Sequence, residues 1–142
     1  MFSMALTRLD LQRLADVKFD DAILLFANQR YGNAYYLAGY SVEMGLKACI
    51  ARQIRQEEIP DKNFIQSIYT HNPVQLVGLA GLNAELRTAE RASTQFQAYW
   101  GIVAGWKPEH RYAILTPMEA QWLMTAIGDP EHGVLRWIKT HW

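Results

Sequence analysis

The sequence predicts an all-α protein: an up-and-down bundle of four main helices, with a short extra helix in the connector between the second and third. Two observations support this fold class. Apolar residues recur at helix-like intervals of three and four along most of the chain, and no alternating pattern typical of strands is present. Because 142 residues suit one domain, we expect a single helical domain from residue 1 to residue 142.

The first helix is predicted from about Arg8 to Asn28. Thr7 and Asp10 have the spacing of a capping pair at its start. The segment after Asn28 contains Gly and Asn, which tolerate the backbone angles of a short turn. We therefore expect a tight connection into the second helix.

The second helix is predicted to be central. Its small residues share one stripe at spacings of four, three, four and three, namely Ala34, Ala38, Ser41, Gly45 and Ala48. A glycine within a helix costs about 1 kcal/mol relative to alanine. Gly39 and Gly45 therefore suggest that another backbone approaches this helix closely.

Pro60 ends the second helix, and the connector after it is predicted to carry a short helix from about Pro73. Apolar spacing then predicts a third helix from Ala84 to roughly Gly105.

The fourth helix has the clearest start. Thr116 is the predicted N-cap, Pro117 occupies the first helical position and Glu119 the capping-box position. The apolar stripe resumes after Pro130, so we expect a kink or break there.

Composition excludes some classes of function. The 14 basic and 14 acidic residues give a net charge of zero, whereas a protein that mainly binds nucleic-acid backbone needs a basic surplus. Cys49 is the only cysteine and is expected to be buried and reduced. No signal-peptide pattern or membrane-length apolar run is found. The sequence predicts a cytoplasmic protein without a cofactor or metal site.

Glu43 and Lys47 interrupt the apolar second helix in the order that stabilises a helix by about 0.2–0.5 kcal/mol. The favoured interpretation places them on an exposed or dimer-facing strip with Tyr36 and Tyr40. An alternative is that Glu43 is partly buried and hydrogen-bonded to a neighbouring helix or loop. A role of either residue in ligand binding is a third interpretation.

Three further residues complete a predicted polar cluster with Glu43 and Lys47. His71 is expected to cap the short helix of the connector or to hold the connector against the second helix. Arg111, followed by Tyr112, can bind phosphate or a carboxylate such as Glu43, and the carboxylate is favoured. The cluster is either structural or ligand-binding.

Five tryptophans are candidates for stacking on nucleic-acid bases. At helical spacing such side chains more often belong to a core or a dimer interface, and this is the favoured interpretation. They are Trp100, Trp106, Trp122, Trp137 and Trp142.

Three ordered pieces of the sequence resemble the HEPN domain family: AYYLAGYSVEMGLKACIA, THNPVQLVGLAGL and WKPEHRY. The similarity extends from about Arg8 to Ile138. It implies an up-and-down helical bundle, frequent homodimers, association with nucleotidyltransferases, and a groove that binds nucleotide or RNA in several members. The function expected from it is that of an accessory or binding module.

Many active HEPN proteins are metal-independent ribonucleases that carry an Arg, four to six residues and a His near the start of the last long helix. Here His110 directly precedes Arg111, so that pair is missing. Arg136 and His141 have the spacing, but five residues rotate about 140° around a helix, so the two side chains diverge within one chain.

Two alternatives to the binding module remain. One is a ribonuclease toxin of a toxin-antitoxin system that uses Arg136 and His141 across a dimer interface. The other is a structural, oligomerising helical protein without a ligand.

Overall fold

The computed structural model describes residues 6–112 and 114–142, except for the side chains of residues 111 and 112. Within these ranges the fold is all-helical, and no strand is found. The described residues form eight α-helices: α1 Arg8–Ala27, α2 Tyr31–Gln53, α3 Lys62–Ser67, α4 Pro73–Leu79, α5 Asn83–Ala92, α6 Thr94–Ala104, α7 Pro117–Gly128 and α8 Val134–Lys139. A 3-10 helix, Pro108–Tyr112, precedes α7.

Helix α1 begins with the predicted capping box. The Thr7 hydroxyl accepts a hydrogen bond from the Asp10 backbone N–H, and the Asp10 carboxylate accepts one from the Thr7 N–H, both at 3.1 Å. The helix ends where Asn28 becomes the C-cap. Gln29 then takes a φ of 63°, which turns the chain into α2.

Helix α2 is the central helix, as predicted, and it packs against α1, α4, α7, α8 and the 3-10 helix. All five small residues of its predicted stripe are buried. Helix α1 packs closely along α2, as the stripe of small residues predicts, but side chains rather than backbone atoms fill the space at the two glycines. A Cβ at Gly45 would lie 2.9 Å from Ile138 Cγ2, and one at Gly39 would overlap the Trp106 indole.

The predicted third helix is two helices. Ser93 breaks it with an extended backbone (φ −145°, ψ 116°), and the Ser93 hydroxyl accepts a hydrogen bond from the Phe96 N–H as the N-cap of α6. The serine offers a competing local hydrogen bond, which overrides the continuous apolar spacing. Helix α4 starts at Pro73 as predicted, whereas α3 was not predicted. The prediction that Pro60 ends α2 is wrong, because the helix ends at Gln53, where the backbone of Ile54 becomes extended.

The C-terminal part follows the prediction. Thr116 caps α7 through the Glu119 N–H, with Pro117 at the first helical position. The expected break near Pro130 separates α7 from α8, and the Asp129 carboxylate accepts hydrogen bonds from two backbone N–H groups in the turn. Helix α8 returns to pack on α2 beside Gly45.

Candidate functional site

Glu43 is a carboxylate buried in the middle of the fold. It lies on α2 with only 2 % of its surface exposed. Ser41 and Glu43 are the only buried polar side chains within the described ranges. A buried carboxylate is strongly destabilising unless it is paired and hydrogen-bonded, so its partners define the site.

Two cationic or polar side chains satisfy the Glu43 carboxylate, one at each oxygen. Lys47 Nζ lies 3.0 Å from Oε2, one helical turn further along α2. His71 Nδ1 lies 2.8 Å from Oε1 and comes from the connector before α4. Because an ionised carboxylate can only accept, Nδ1 carries the proton and donates to it.

The connector holds His71 in place through a dense local hydrogen-bond arrangement. The Asn72 side chain caps α4 by accepting from the Val74 N–H at 2.9 Å. Thr70 Oγ1 accepts from the Asn72 N–H and donates to Gln75 Oε1 at 2.6 Å. These bonds fix the backbone on both sides of His71. Its imidazole is therefore oriented towards α2 although His71 lies in a loop.

A cluster of aromatic rings covers the side of α2 next to Glu43. Tyr36 and Tyr40 lie one turn apart with their hydroxyl oxygens 3.3 Å from each other. The Tyr40 ring lies edge-on to Trp106, with ring centroids 5.2 Å apart, and 6.0 Å from the imidazole of His71. The aromatic rings and the Glu43 group therefore form one continuous cluster.

Trp106 is the anchor of this cluster. Its indole is 1 % exposed and occupies the space that a side chain at position 39 would need. A Cβ built at Gly39 would lie 2.0 Å from Trp106 Cε2. The indole Nε1 is buried and has no hydrogen-bond partner among the residues that the structure describes.

A shallow groove of about 280 Å³ lies beside the cluster. Trp106 forms part of its wall, and His71 and Lys107 contribute a half-exposed imidazole and an exposed ammonium group. The remaining lining residues are Thr70, Asn72, Ala104, Pro108 and Glu109. The groove is thus open to solvent and shares His71 with the buried Glu43 group.

The structure brings together three of the five predicted polar residues. The pair of Glu43 and Lys47 is confirmed, but the favoured exposed strip is wrong because Glu43 is buried. The alternative, a buried acid hydrogen-bonded to a neighbouring loop, is confirmed with His71 as the partner. The predicted side-chain roles of Arg111 and Tyr112 fall outside the described residues.

Arg136 and His141 lie in different surroundings within one chain. Arg136 lines a groove with Phe19 of α1, and its guanidinium donates to the Glu131 carbonyl at 3.0 Å. His141 lines a second groove on α5, edge-on to Trp137 with ring centroids 5.1 Å apart. The divergence expected from helical geometry is confirmed for a single chain.

Sequence reasoning missed the part that Trp106 plays in the site. The available signal was Gly39, a costly residue within a long helix, but the sequence does not say which side chain fills the space above it. Of the other tryptophans, Trp100 is also buried, whereas Trp122 is 55 % exposed on α7.

Cys49 is buried as predicted, with its thiol directed at the Ile138 carbonyl at 3.8 Å. Burial raises the pKa of this thiol from 9.0 to about 11, so it is a neutral, inert group at ordinary pH. No cluster of three or more metal-binding side chains occurs in the described part of the chain.

Comparisons of the chain with protein-family models, with curated proteins and with solved structures found no match. None of the described helices combines the length and apolar character needed to cross a membrane.

Proposed function

We propose that the chain is a HEPN-like accessory or binding module without a catalytic pair of its own. In this proposal α1, α2, α6 and α7 are the four main helices of an up-and-down bundle. The contacts of α1 and α7 with α2, and of α6 with α7, support that arrangement. The buried small-residue stripe of α2, which lies in the segment that resembles the family, supports it as well.

The observation that carries the functional proposal is the groove beside Trp106. There an exposed ammonium group, Lys107, and a half-exposed imidazole, His71, line the same concave surface. Glu43 behind His71 is engaged at both oxygens, so it does not compete with an anionic ligand for Lys107. The Lys107 ammonium group is suited to the phosphate of a nucleotide or of a single RNA residue, and His71, whose Nδ1 proton is donated to Glu43, shapes the wall beside it.

The size of the groove favours binding of part of a nucleotide. Its volume of about 280 Å³ is at the lower limit of small-molecule pockets, so it can enclose a phosphate and a sugar while the base remains outside. A nucleotidyltransferase partner that presents a bound nucleotide at this groove is compatible with the same chemistry.

A ribonuclease active site is less well supported. General acid–base catalysis needs both groups within hydrogen-bond reach of the same reacting atoms. Arg136 and His141 line separate grooves of one chain, so only a second subunit could complete the pair. The buried Glu43 carboxylate cannot contact a substrate, because its exposed fraction is 2 %.

Isothermal titration calorimetry with ATP, GTP and a short single-stranded RNA tests the proposal. We expect binding that weakens about tenfold in Lys107→Ala, since one charged phosphate contact is lost. Lys62→Ala is the matched control, because Lys62 is exposed on α3 and does not line the groove. Absence of binding by every ligand at millimolar concentration would contradict the proposal and favour a structural protein.

An RNA cleavage assay separates the module from the ribonuclease. The purified protein is incubated with tRNA and mRNA, and we expect both to remain intact. Specific cleavage that is lost in His141→Ala would overturn the proposal and establish the ribonuclease alternative.

A further inference from the structure

The outward face of α1 carries an apolar stripe that no other part of the described chain covers. Leu24 is 63 % exposed, Val17 53 % and Leu9 52 %. The residues that pack α1 on the core, such as Ala15 and Ala22, lie on the opposite side of the helix. The stripe runs along the helix at spacings of three and four and consists of Leu9, Arg13, Val17, Asp20, Leu24 and Ala27.

Such a face differs from scattered exposed leucines, which are normal on a protein surface. Here Leu9, Val17 and Leu24 align over about 22 Å, because 15 residues separate the first from the last at a rise of about 1.5 Å per residue. An aligned set of exposed apolar side chains with charged residues between them is typical of a helix that packs against a partner helix.

Two charges within the stripe indicate the partner. Arg13 lies four residues before Val17 and Asp20 three residues after it, and neither forms an ion pair within the described residues. At a rise of about 1.5 Å per residue, Arg13 lies about 6 Å from Val17 along the axis and Asp20 about 4.5 Å in the other direction. The stripe is therefore nearly complementary to itself when it is inverted.

We propose that the occupant of this face is a second copy of the chain, with the two α1 helices antiparallel about a two-fold axis near Val17. In this register Arg13 lies opposite Asp20 of the second copy, with an axial offset of only about 1.5 Å. Leu9 lies opposite Leu24 at the same offset. A two-fold axis produces each of these contacts twice.

A parallel arrangement is excluded by the same charges. It would place Arg13 against Arg13 and Asp20 against Asp20, and like charges in an interface oppose association. The homodimer expected from the family resemblance specifies no surface or register, and α1 supplies both. The inference does not depend on a ligand in the groove beside Trp106.

Sedimentation equilibrium over a range of protein concentrations tests the dimer. We expect a reversible monomer–dimer equilibrium, because one helix from each copy gives an interface near the lower limit of stable complexes. In a dimer of the Arg13→Asp variant, each contact between position 13 of one copy and position 20 of the other places two acidic side chains together. In a dimer of the Asp20→Arg variant, each such contact places two basic side chains together. Each variant alone should dimerise at least about tenfold more weakly, since the repulsion acts twice.

Mixing the two variants gives the decisive measurement. In a heterodimer of Arg13→Asp with Asp20→Arg, the first chain is acidic at positions 13 and 20 and the second is basic at both. Each contact between position 13 of one chain and position 20 of the other therefore pairs an acid with a base again. We expect the mixture to associate about as tightly as the unmodified protein, and the double variant Arg13→Asp/Asp20→Arg to dimerise on its own. Arg87→Asp, with the same charge change on the exposed surface of α5, should dimerise normally.

Three results would overturn the inference: an unmodified protein that stays monomeric at every concentration, single variants that dimerise as well as it does, or variants that fail to associate when mixed. Circular dichroism of each variant establishes that it is folded. Since all the substituted side chains are exposed, the helical signal should not change.

Discussion

Substitution of Gly39 by alanine is the sharpest test of the way α2 holds the aromatic cluster. The new Cβ would lie 2.0 Å from Trp106 Cε2 and 2.1 Å from Nε1. Carbon atoms in a packed core approach each other to about 3.5–4.0 Å, so the indole would have to retreat by about 1.5 Å. Since Trp106 is 1 % exposed, its neighbours would have to move with it.

The expected loss of stability combines two opposing contributions. Overpacking of a core costs about 1–3 kcal/mol, and this overlap belongs at the upper end. Alanine regains about 1 kcal/mol of helix propensity over glycine. The free energy of unfolding should fall by about 2 kcal/mol, which corresponds to a fall in Tm of about 6–8 °C for a domain of this size.

Urea denaturation followed by circular dichroism measures this change, and Gly101→Ala is the matched control. Gly101 lies in the interior of α6, and a Cβ there has no atom within 4 Å, so this variant should be up to about 1 kcal/mol more stable than the unmodified protein. In a Trp106→Leu background, Gly39→Ala should cost at least about 1 kcal/mol less than in the unmodified protein. A Gly39→Ala variant that gains stability as Gly101→Ala does would refute the packing described here.

The remaining predictions concern three other positions. Glu43→Ala should lower the free energy of unfolding by about 2–3 kcal/mol, because Lys47 and His71 lose a buried partner, while exposed Glu85→Ala should change it by less than about 0.5 kcal/mol in the same urea titration. The Cys49 thiol, with its pKa raised by burial to about 11, should not react with a disulfide reagent at pH 8 until the protein is unfolded. Because the unfolded thiol ionises first, stability should fall as the pH rises from 9 towards 11, and Cys49→Ala should fall less steeply. Thr116→Ala removes the N-cap of α7 and should cost about 1 kcal/mol, whereas Thr116→Ser should be nearly neutral in thermal denaturation.

Local signals predicted the starts of three helices well. The capping pairs at Thr7 and Thr116 are read from residues only three apart, and both threonine hydroxyls accept the predicted hydrogen bond from a backbone N–H. The Asp10 carboxylate also completes its capping box, whereas the Glu119 carboxylate accepts from the Thr116 hydroxyl instead. The helix after Asn72 and Pro73 also begins where the sequence indicates. These features depend on neighbours in the chain, so sequence alone contains the necessary information.

The sequence predicted the structure less well where two local interpretations compete, or where the residues in contact are far apart in the chain. Apolar spacing continues through Ser93, and only the serine hydroxyl at the N-cap of α6 reveals the break. For Glu43 the i,i+4 pair with Lys47 was predictable, but its burial depends on His71, which is 28 residues away. A helical pattern does not fix which loop covers which face of α2.

The pairing of Glu43 and His71 gives a physical reason for an acid in an otherwise apolar helix. An apolar side chain at position 43 would be buried equally well by several placements of the connector, because apolar contacts are non-directional. The carboxylate is satisfied only when Lys47 and His71 both approach to 3.0 Å or less. We infer that the Glu43 carboxylate contributes more to conformational specificity than to stability, because it fixes one position of residues 70–72 against α2. Since those residues also line the groove beside Trp106, the same constraint sets the shape of the surface for which we propose a ligand.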